Sequence, residues 1–190
     1  MTTEHKLQNV RNLLLAIGED PDREGLRDTP KRVVRSWKEL FGGYSQDPMR
    51  VLSRTFSSGG YDEMIILREI EFYSCCEHHM QVFSGRASIA YVPKDRVVGV
   101  SKLARVVDIY ARRLQIQERL TVQIADAIEK ALEPQGVMVV LEAQHLCMRA
   151  RGVKQQHSLM TTSAIRGIFR ENPEVREEFL DLLKRGEGEH

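Results

Sequence analysis

The sequence predicts an α+β fold in which an antiparallel sheet carries a helix pair on one face, preceded by N-terminal helices. Segments with the alternating apolar pattern of strands occur in two pairs, and two segments of helical period lie between these pairs. The N-terminal part of the chain carries helical patterns instead. This order, strand–strand–helix–helix–strand–strand after a helical region, favours an α+β protein over alternating βα units.

Composition and charge narrow the class of protein. The chain has 190 residues, 42% of them hydrophobic and 29% charged, and its net charge is +1. So small a charge gives no bulk attraction to nucleic acid or to a membrane surface, and we expect neither as a partner. Because the chain lacks both a run of the ~20 apolar residues that span a bilayer and a signal peptide, we expect a cytosolic protein. Its three cysteines are then expected to be thiols or metal ligands.

The N-terminal region, residues 1–60, is predicted to be helical. Apolar residues at helical spacing predict a first helix that ends near Gly18. Thr29, followed by proline, predicts the N-cap and start of a second helix. A third, short helix is expected within residues 47–55. A joint rich in serine and glycine ends this region, and we place the main domain at residues 61–190.

The main domain begins with two strands, predicted at residues 64–72 and 83–92. The period then changes from that of strands to that of helices. Ser101 is the predicted N-cap of the first helix of the pair, and the second helix is expected at residues 116–132. The remaining elements are strands at residues 137–148 and 161–169 and a closing helix that starts at Asn172-Pro173.

The stretch around Cys76 concentrates side chains that bind metals. Residues 72–80 hold two thiols, a carboxylate and two imidazoles, and the third cysteine, Cys147, follows much later in the chain. Thiolates and imidazoles suit a borderline-soft ion such as zinc. Cys76-x-x-His79 with Cys147 would leave a fourth position open, as catalytic zinc sites do. Cys75-x-x-His78 has the same spacing, so spacing alone leaves both pairs open.

His145 lies two residues before Cys147 on the predicted strand. Its imidazole would be near the metal as a ligand, as a proton carrier or as a satisfied core residue. For any single cysteine the alternative is a small buried apolar side chain. Two cysteines, two histidines and a His-x-Cys strand in combination favour a metal site.

A second group of residues predicts an anion site. Ser101, Lys102 and Arg105 open a helix, and the two cations lie on one face of it. A helix N-terminus with two cations suits a phosphate group, although a solvated basic face is the alternative. Gln117 and Glu118 open the next helix. A carboxylate there could accept from the N1–H and 2-amino groups of guanine, or could simply stabilise the helix start.

Four sequence blocks occur in a fixed order along the chain: FYSCCEHH at 72–79, GVSKLAR at 99–105, RLQIQERL at 113–120 and HLCMRARG at 145–152. Together they resemble the signature blocks of the GTP cyclohydrolase I family. The wider resemblance runs from Arg23 to Leu183, and chance agreement of all four blocks is remote.

The resemblance implies a fold, an assembly and an activity. The sheet and helix pair would form the tunnelling fold, and the chains would assemble as homodecamers with active sites between subunits. The reaction would convert GTP and water to 7,8-dihydroneopterin triphosphate and formate. This conversion is the first step of tetrahydrofolate and other pterin pathways.

The same resemblance implies roles for individual residues. The zinc ligands would be Cys76, His79 and Cys147, which chooses between the two pairs of equal spacing, and the acid–base histidines would be His78 and His145. The residues implied for substrate binding share one role, the recognition of GTP. For the triphosphate they are Ser101, Lys102, Arg105 and Arg151, and for guanine they are Gln117 and Glu118.

Three competing interpretations follow from the same residues. One is a zinc-stabilised nucleotide- or pterin-binding protein on the same fold without cyclohydrolase activity. Another is a different enzyme of the same fold, which we would expect to lack part of the cysteine–histidine or Lys102/Arg105 sets. A redox dithiol at Cys75-Cys76 is disfavoured, because adjacent cysteines form strained disulfides.

Overall fold

The structure, a computed structural model, describes residues 1–184. The contacts divide the chain into two compact units, Met1–Gly42 and a second unit that begins at Gly43. Residues 43–60, which we grouped with the N-terminal helices, belong to the second unit because their helix and strand pack and pair within it. The domain boundary at residue 60 stays a prediction, and residues 185–190 of the predicted main domain lie outside the described residues.

The first unit is a pair of helices, α1 (Thr3–Ala16) and α2 (Thr29–Leu40), as the sequence predicts. Thr2 caps α1, since its side chain accepts a hydrogen bond from the His5 amide. The predicted cap of α2 is wrong by one residue. Asp28 holds the N-cap position without a side-chain hydrogen bond, and Thr29 is already helical. The reason is a preceding turn, in which the Thr29 amide donates to the Leu26 carbonyl and leads into the helix.

The second unit combines helices with two sheets. Its elements in chain order are α3 (Pro48–Leu52), β1 (Thr55–Ser57), β2 (Ile65–Cys76), β3 (Val82–Val92), β4 (Arg96–Val98), α4 (Val100–Ala111), β5 (Leu114–Gln115), α5 (Gln117–Leu132), β6 (Gly136–His145), α6 (Leu146–Arg149), β7 (Met160–Gly167), α7 (Ile168–Glu171) and α8 (Pro173–Lys184). A 3₁₀ helix at Gly42–Ser45 begins with the last residue of the first unit and precedes these elements. No helix among residues 1–184 has the length and apolar character needed to cross a membrane.

The main sheet has the strand order β5-β2-β3-β6-β7. Its long strands pair antiparallel, as predicted, and β3 pairs with β6 so that Phe83 lies opposite His145. The two-residue strand β5 runs parallel to the end of β2, which makes the sheet mixed rather than purely antiparallel. So short a segment between two helices carries too little alternation to be recognised in a sequence. β1 and β4 form a separate two-stranded sheet.

The core lies between the sheet and the helix pair α4 and α5, on the face that the sequence predicts. Large buried side chains of this core include Phe72, Phe83, Ile89, Leu103, Ile124 and Leu141. The opposite face of the sheet is also covered, because Phe169 of α7 and Phe179 of α8 form a buried cluster with Met138 and Ala90. The prediction of a helix pair on one face therefore holds, and α7 and α8 cover the opposite face, for which the sequence made no prediction.

Three element ends differ from their predicted positions, and each difference affects a residue of the candidate site. β2 continues to Cys76 because its pairing with β3 extends through Cys75, so both cysteines are strand residues rather than loop residues. β6 stops at His145, and Cys147 lies on the helical turn α6 instead of on the strand. Ser101 is inside α4, whose N-cap is Gly99.

Candidate metal centre

Cys76 and His79 are brought together by the tight turn that follows β2. Cys76 is buried at the strand end, where its amide donates to the Gln81 carbonyl and its carbonyl accepts from the Met80 amide, both at 2.8 Å. This closure puts Met80 in the left-handed region with φ +51°, a conformation that is unfavourable for a bulky residue. As a result, His79 Nδ1 lies 3.9 Å from Cys76 Sγ.

Cys147 joins this pair from a distant part of the sequence. β6 brings the chain to His145, opposite Phe83 on β3, and the turn α6 then carries Cys147 toward the end of β2. The Sγ atoms of Cys76 and Cys147 and a ring nitrogen of His79 all lie within 4.8 Å of one another. The structure thus gathers the three residues that the sequence proposed as metal ligands.

This donor set fits a zinc ion. Tetrahedral coordination with Zn–S near 2.3 Å and Zn–N near 2.0–2.1 Å requires ligand atoms about 3.5–3.8 Å apart. The separation between Cys76 and His79 is already close to this value, and small side-chain rotations would close the remainder. Burial and the neighbouring Cys76 thiol raise the pKa of Cys147, although Arg151 opposes the shift. A bound cation would supply the charge that stabilises the Cys147 thiolate.

The geometry of the strand distinguishes the competing pair, Cys75 and His78, from the pair Cys76 and His79. Because successive strand residues face opposite sides of a sheet, Cys75 faces away from the side on which Cys76 lies. Burial raises the pKa of Cys75. His78 Nδ1 is 4.0 Å from Cys76 Sγ, but its side chain is 65% exposed and lies outside the group of three. The geometry favours Cys76 with His79 and leaves His78 beside the centre.

An ion pair holds the turn after β2 against helix α5. Arg119 donates to the Glu77 carboxylate, to the Gln115 side chain at 3.0 Å and to the Leu114 carbonyl at 3.2 Å. The hydrogen bond from Arg119 lowers the pKa of Glu77, so this carboxylate is ionised at neutral pH. Its other oxygen is 4.0 Å from His78 Nε2. Sequence reasoning missed this ion pair, because two residues so far apart along the chain carry no signal of their contact.

His145 is held on two sides. Its ring stacks on Phe83 with centroids 4.5 Å apart and planes inclined by 3°, and its Nε2 lies 2.9 Å from Gln117 Oε1. Burial lowers the pKa of His145, while the nearby Glu118 carboxylate acts in the opposite direction. The neutral imidazole is therefore the favoured form near neutral pH.

Gln117 is only 1% exposed, and its side chain is engaged within the chain. Its amide nitrogen lies 2.8 Å from the Met160 carbonyl and 3.1 Å from both the Leu141 carbonyl and Thr162 Oγ1. These contacts and the hydrogen bond to His145 engage both ends of the Gln117 side-chain amide, the group that we predicted would bind guanine. Glu118, the other half of that predicted pair, is exposed at the start of α5.

The predicted phosphate-binding residues of α4 lie away from the metal centre. Ser101 and Arg105 are exposed, and Lys102 Nζ donates to the Val51 carbonyl at 2.8 Å. The last residue of α4, Ala111, is at the metal end of the sheet, where its carbonyl accepts a hydrogen bond from the end of β2. At the rise of an α-helix, Lys102 lies about 14 Å back along the axis. The described contacts do not join this group to the metal centre within one chain.

An α+β chain that brings two thiols and an imidazole together, with two further histidines nearby, has the donor set of a metal-dependent enzyme. The family model of GTP cyclohydrolase I matches residues 7–184. The chain belongs to the GTP cyclohydrolase I family, and the resemblance carried by the four sequence blocks is confirmed.

Curated relatives agree over most of the chain. GTP cyclohydrolase 1 of Wolinella succinogenes is 55% identical over 177 residues, which are 93% of this chain and 95% of that protein. The Helicobacter pylori (strain G27) protein of the same name is 51% identical and covers 88% of this chain and 93% of its own. The Brucella suis protein is 52% identical, with coverage of 92% and 83%.

Among solved structures, the apo form of the archaeosine synthase QueF-Like aligns with a TM-score of 0.46 at 21% identity. The alignment covers 55% of this chain and 93% of that chain. A similarity at this level does not identify the fold.

Proposed function

We propose that this chain is a zinc-dependent GTP cyclohydrolase that converts GTP and water to 7,8-dihydroneopterin triphosphate and formate, the first step of tetrahydrofolate and pterin biosynthesis. The observation that carries the proposal is the group of Cys76, His79 and Cys147 in a chain of this family. Relatives at 51–55% identity bear the name GTP cyclohydrolase 1. The tunnelling fold is proposed on the same basis.

Cys76, His79 and Cys147 would hold the zinc ion and leave one position open to the reacting groups. A zinc ion bound there supplies Lewis acidity that makes water a nucleophile near neutral pH. The Arg119–Glu77 ion pair supports this arrangement, because it fixes the turn that carries His79 to the start of α5. The protein thereby orients the ligands before substrate binds.

Two histidines beside the centre are suited to move protons. His145, held neutral by burial, would exchange a proton at N7 of the purine as the bond to C8 opens. His78 is exposed next to Cys76 and would carry protons between the reacting ring and solvent, both in the hydrolysis and in the later ring closure. One imidazole held by its neighbours and one exposed to solvent match these two tasks.

Guanine recognition is assigned to Glu118. Its carboxylate is exposed at the start of α5, and its charge acts to raise the pKa of His145, which supports a role for Glu118 near the proposed reaction site. Adenine lacks both the N1–H and the 2-amino donor that a carboxylate can bind. We therefore expect ATP to be rejected strongly, because a base that covers the carboxylate without donating to it would leave its oxygens unpaired.

Arg151 and the α4 group of Ser101, Lys102 and Arg105 are proposed to bind the triphosphate. Arg151 lies near Cys147, whereas the α4 group lies back along its helix from the metal end of the sheet. This separation supports a site completed by a second copy of the chain, whose α4 start would face the metal centre of the first. We propose a homo-oligomer, with ten chains of 21.8 kDa each as the expected assembly.

The direct test follows formate release and the dihydropterin chromophore from GTP, with zinc measured in the same sample. We expect turnover that is lost with a chelator and in Cys147→Ala. A folded, zinc-loaded protein that binds GTP but releases no formate would overturn the proposal and favour a zinc-stabilised binding protein.

A subunit-mixing experiment tests the shared site. Lys102→Met and Cys147→Ser chains are each expected to be inactive, but a mixed oligomer would contain sites with an intact centre from one chain and an intact α4 from another. Activity should therefore return on mixing after dissociation and reassembly. If mixtures stay inactive while wild-type chains treated in the same way recover, each site lies within one chain.

A further inference from the structure

Gln117 has the position of a residue that acts through a catalytic side chain. Its contacts are with His145 and with the strands β6 and β7, and its side chain is buried. We propose that Gln117 positions His145 and determines which ring nitrogen carries the proton when the imidazole is neutral. The catalytic role in this inference rests on the proposed function. The hydrogen-bond geometry from which it is argued is independent of that function.

The first step is the orientation of the Gln117 amide. One end of the amide faces the carbonyl oxygens of Leu141 and Met160, at 3.1 and 2.8 Å. Carbonyl oxygens only accept hydrogen bonds, so this end must be the NH₂ group. The end that faces His145 is then the amide oxygen, which only accepts. The reversed amide would place three oxygen atoms against one another.

The second step follows from this orientation. Since Gln117 Oε1 accepts, His145 Nε2 must donate across their 2.9 Å contact, and the neutral ring is the Nε2–H tautomer. Nδ1 is then the unprotonated nitrogen. Among residues 1–184 the structure gives Nδ1 no hydrogen-bond partner. Nδ1 is therefore the atom left to exchange a proton with a substrate.

The third step is the rigidity of the arrangement. Thr121 Oγ1 donates to the Gln117 carbonyl at 2.7 Å and lies 2.7 Å from Thr162 Oγ1, which itself contacts the Gln117 amide. The parallel stacking of His145 on Phe83 sets the plane of the imidazole. Plane and tautomer are thus both determined before any ligand binds, which is the condition for efficient proton transfer.

The kinetic test replaces Gln117 with a residue of similar length that cannot accept from Nε2. We expect Gln117→Met to lower kcat for formate release by about 10- to 100-fold, the usual effect of losing an orienting partner, with KM for GTP little changed. Gln123→Met is the matched control, because Gln123 is on the same helix and bonds Gln115 instead of His145. A higher KM with an unchanged kcat would overturn the inference and return Gln117 to guanine binding.

A spectroscopic test does not depend on turnover. In zinc-loaded wild-type protein with ¹⁵N-labelled histidine, solid-state NMR should show the neutral His145 ring protonated at Nε2, the signal being assigned by its loss in His145→Gln. Gln117→Met should yield a mixture of tautomers, and Gln123→Met should not. A neutral wild-type ring protonated at Nδ1 would overturn the inference even if Gln117→Met fails to fold. Absence of formate release by wild-type protein would instead count against the proposed function alone.

Discussion

The pair Cys147→Ser and Cys75→Ser tests the metal centre with two substitutions of the same kind. Cys147 contributes one of the three candidate ligand atoms that lie within 4.8 Å of one another, whereas Cys75 faces the other side of the sheet. The first variant leaves the two-residue chelate Cys76-x-x-His79, and the second leaves all three ligands in place. We expect zinc to remain bound after dialysis in Cys75→Ser and to be lost from Cys147→Ser.

The size of the effect on stability follows from linkage. With free zinc at 100 times its Kd, binding to the folded chain alone contributes about 2.7 kcal/mol to the free energy of unfolding. For a chain of 190 residues this corresponds to a rise in Tm of roughly 5–11 °C. The zinc-dependent rise should be present in wild type and Cys75→Ser and absent in Cys147→Ser.

The assay is thermal unfolding by circular dichroism, with and without zinc, together with zinc content by mass spectrometry. Comparing each variant with its own metal-free form removes the intrinsic effect of the substitution on stability. If Cys147→Ser retains zinc and the full increase in Tm, the assignment of Cys147 as a ligand is refuted. If Cys75→Ser loses both the zinc and the rise in Tm, Cys75 also contributes to the metal centre, and the argument from the side of the sheet that it faces is wrong.

Three further predictions concern the surroundings of the centre. Arg119→Met should weaken zinc binding about tenfold in a chelator competition, since the turn after β2 loses its anchor, and an unchanged affinity would contradict that role. Gly85→Ala places a Cβ 1.8 Å from the Glu142 carbonyl oxygen and should cost about 3 kcal/mol in urea unfolding, whereas Gly99→Ala meets nothing within 4 Å and should cost less than about 1 kcal/mol; equal costs would refute the steric argument. Burial raises the pKa of Tyr91 above its ordinary value of 10.0, so the stability that is fully present below pH 10 is lost as the pH rises from there through the raised pKa of the folded protein. Tyr91→Phe should lack this alkaline loss in urea-unfolding midpoints, and an identical loss in both proteins would show that another group causes it.

The elements that the sequence predicts correctly are those whose pattern is local. The stripe of α5 and the alternation of β3 each repeat a period over many residues, so each pattern defines its element without knowledge of the rest. β5 has two residues and α6 has four, which is too short for any period to show. The sequence predicts Cys147 on a strand because the apolar alternation of β6 continues past His145, where the pairing of the strand stops.

Within the candidate site, residue type and spacing were enough to propose a metal centre that includes Cys147, because metal coordination requires a specific donor set, and the family resemblance then chose Cys76 and His79 as its other ligands. The contacts that hold His145 and the turn after β2 could not be anticipated. Gln117 meets His145 and Arg119 meets Glu77 across long stretches of chain, and both pairings exist only once β2, β6 and α5 are packed together. Glutamine and arginine near a helix start carry no signal of such partners.

The long stretch of chain between His79 and Cys147 has a consequence for how the proposed metal site would be filled during synthesis. A nascent chain that has left the ribosome as far as β3 offers only a bidentate chelate, and the third ligand emerges after α4, α5 and β6. Tight zinc capture then waits for β6 to dock on β3. Metal uptake should be a late event of biogenesis, following the formation of the sheet, and refolding in the presence of a zinc-sensitive dye should show ion capture lagging behind the far-ultraviolet signal.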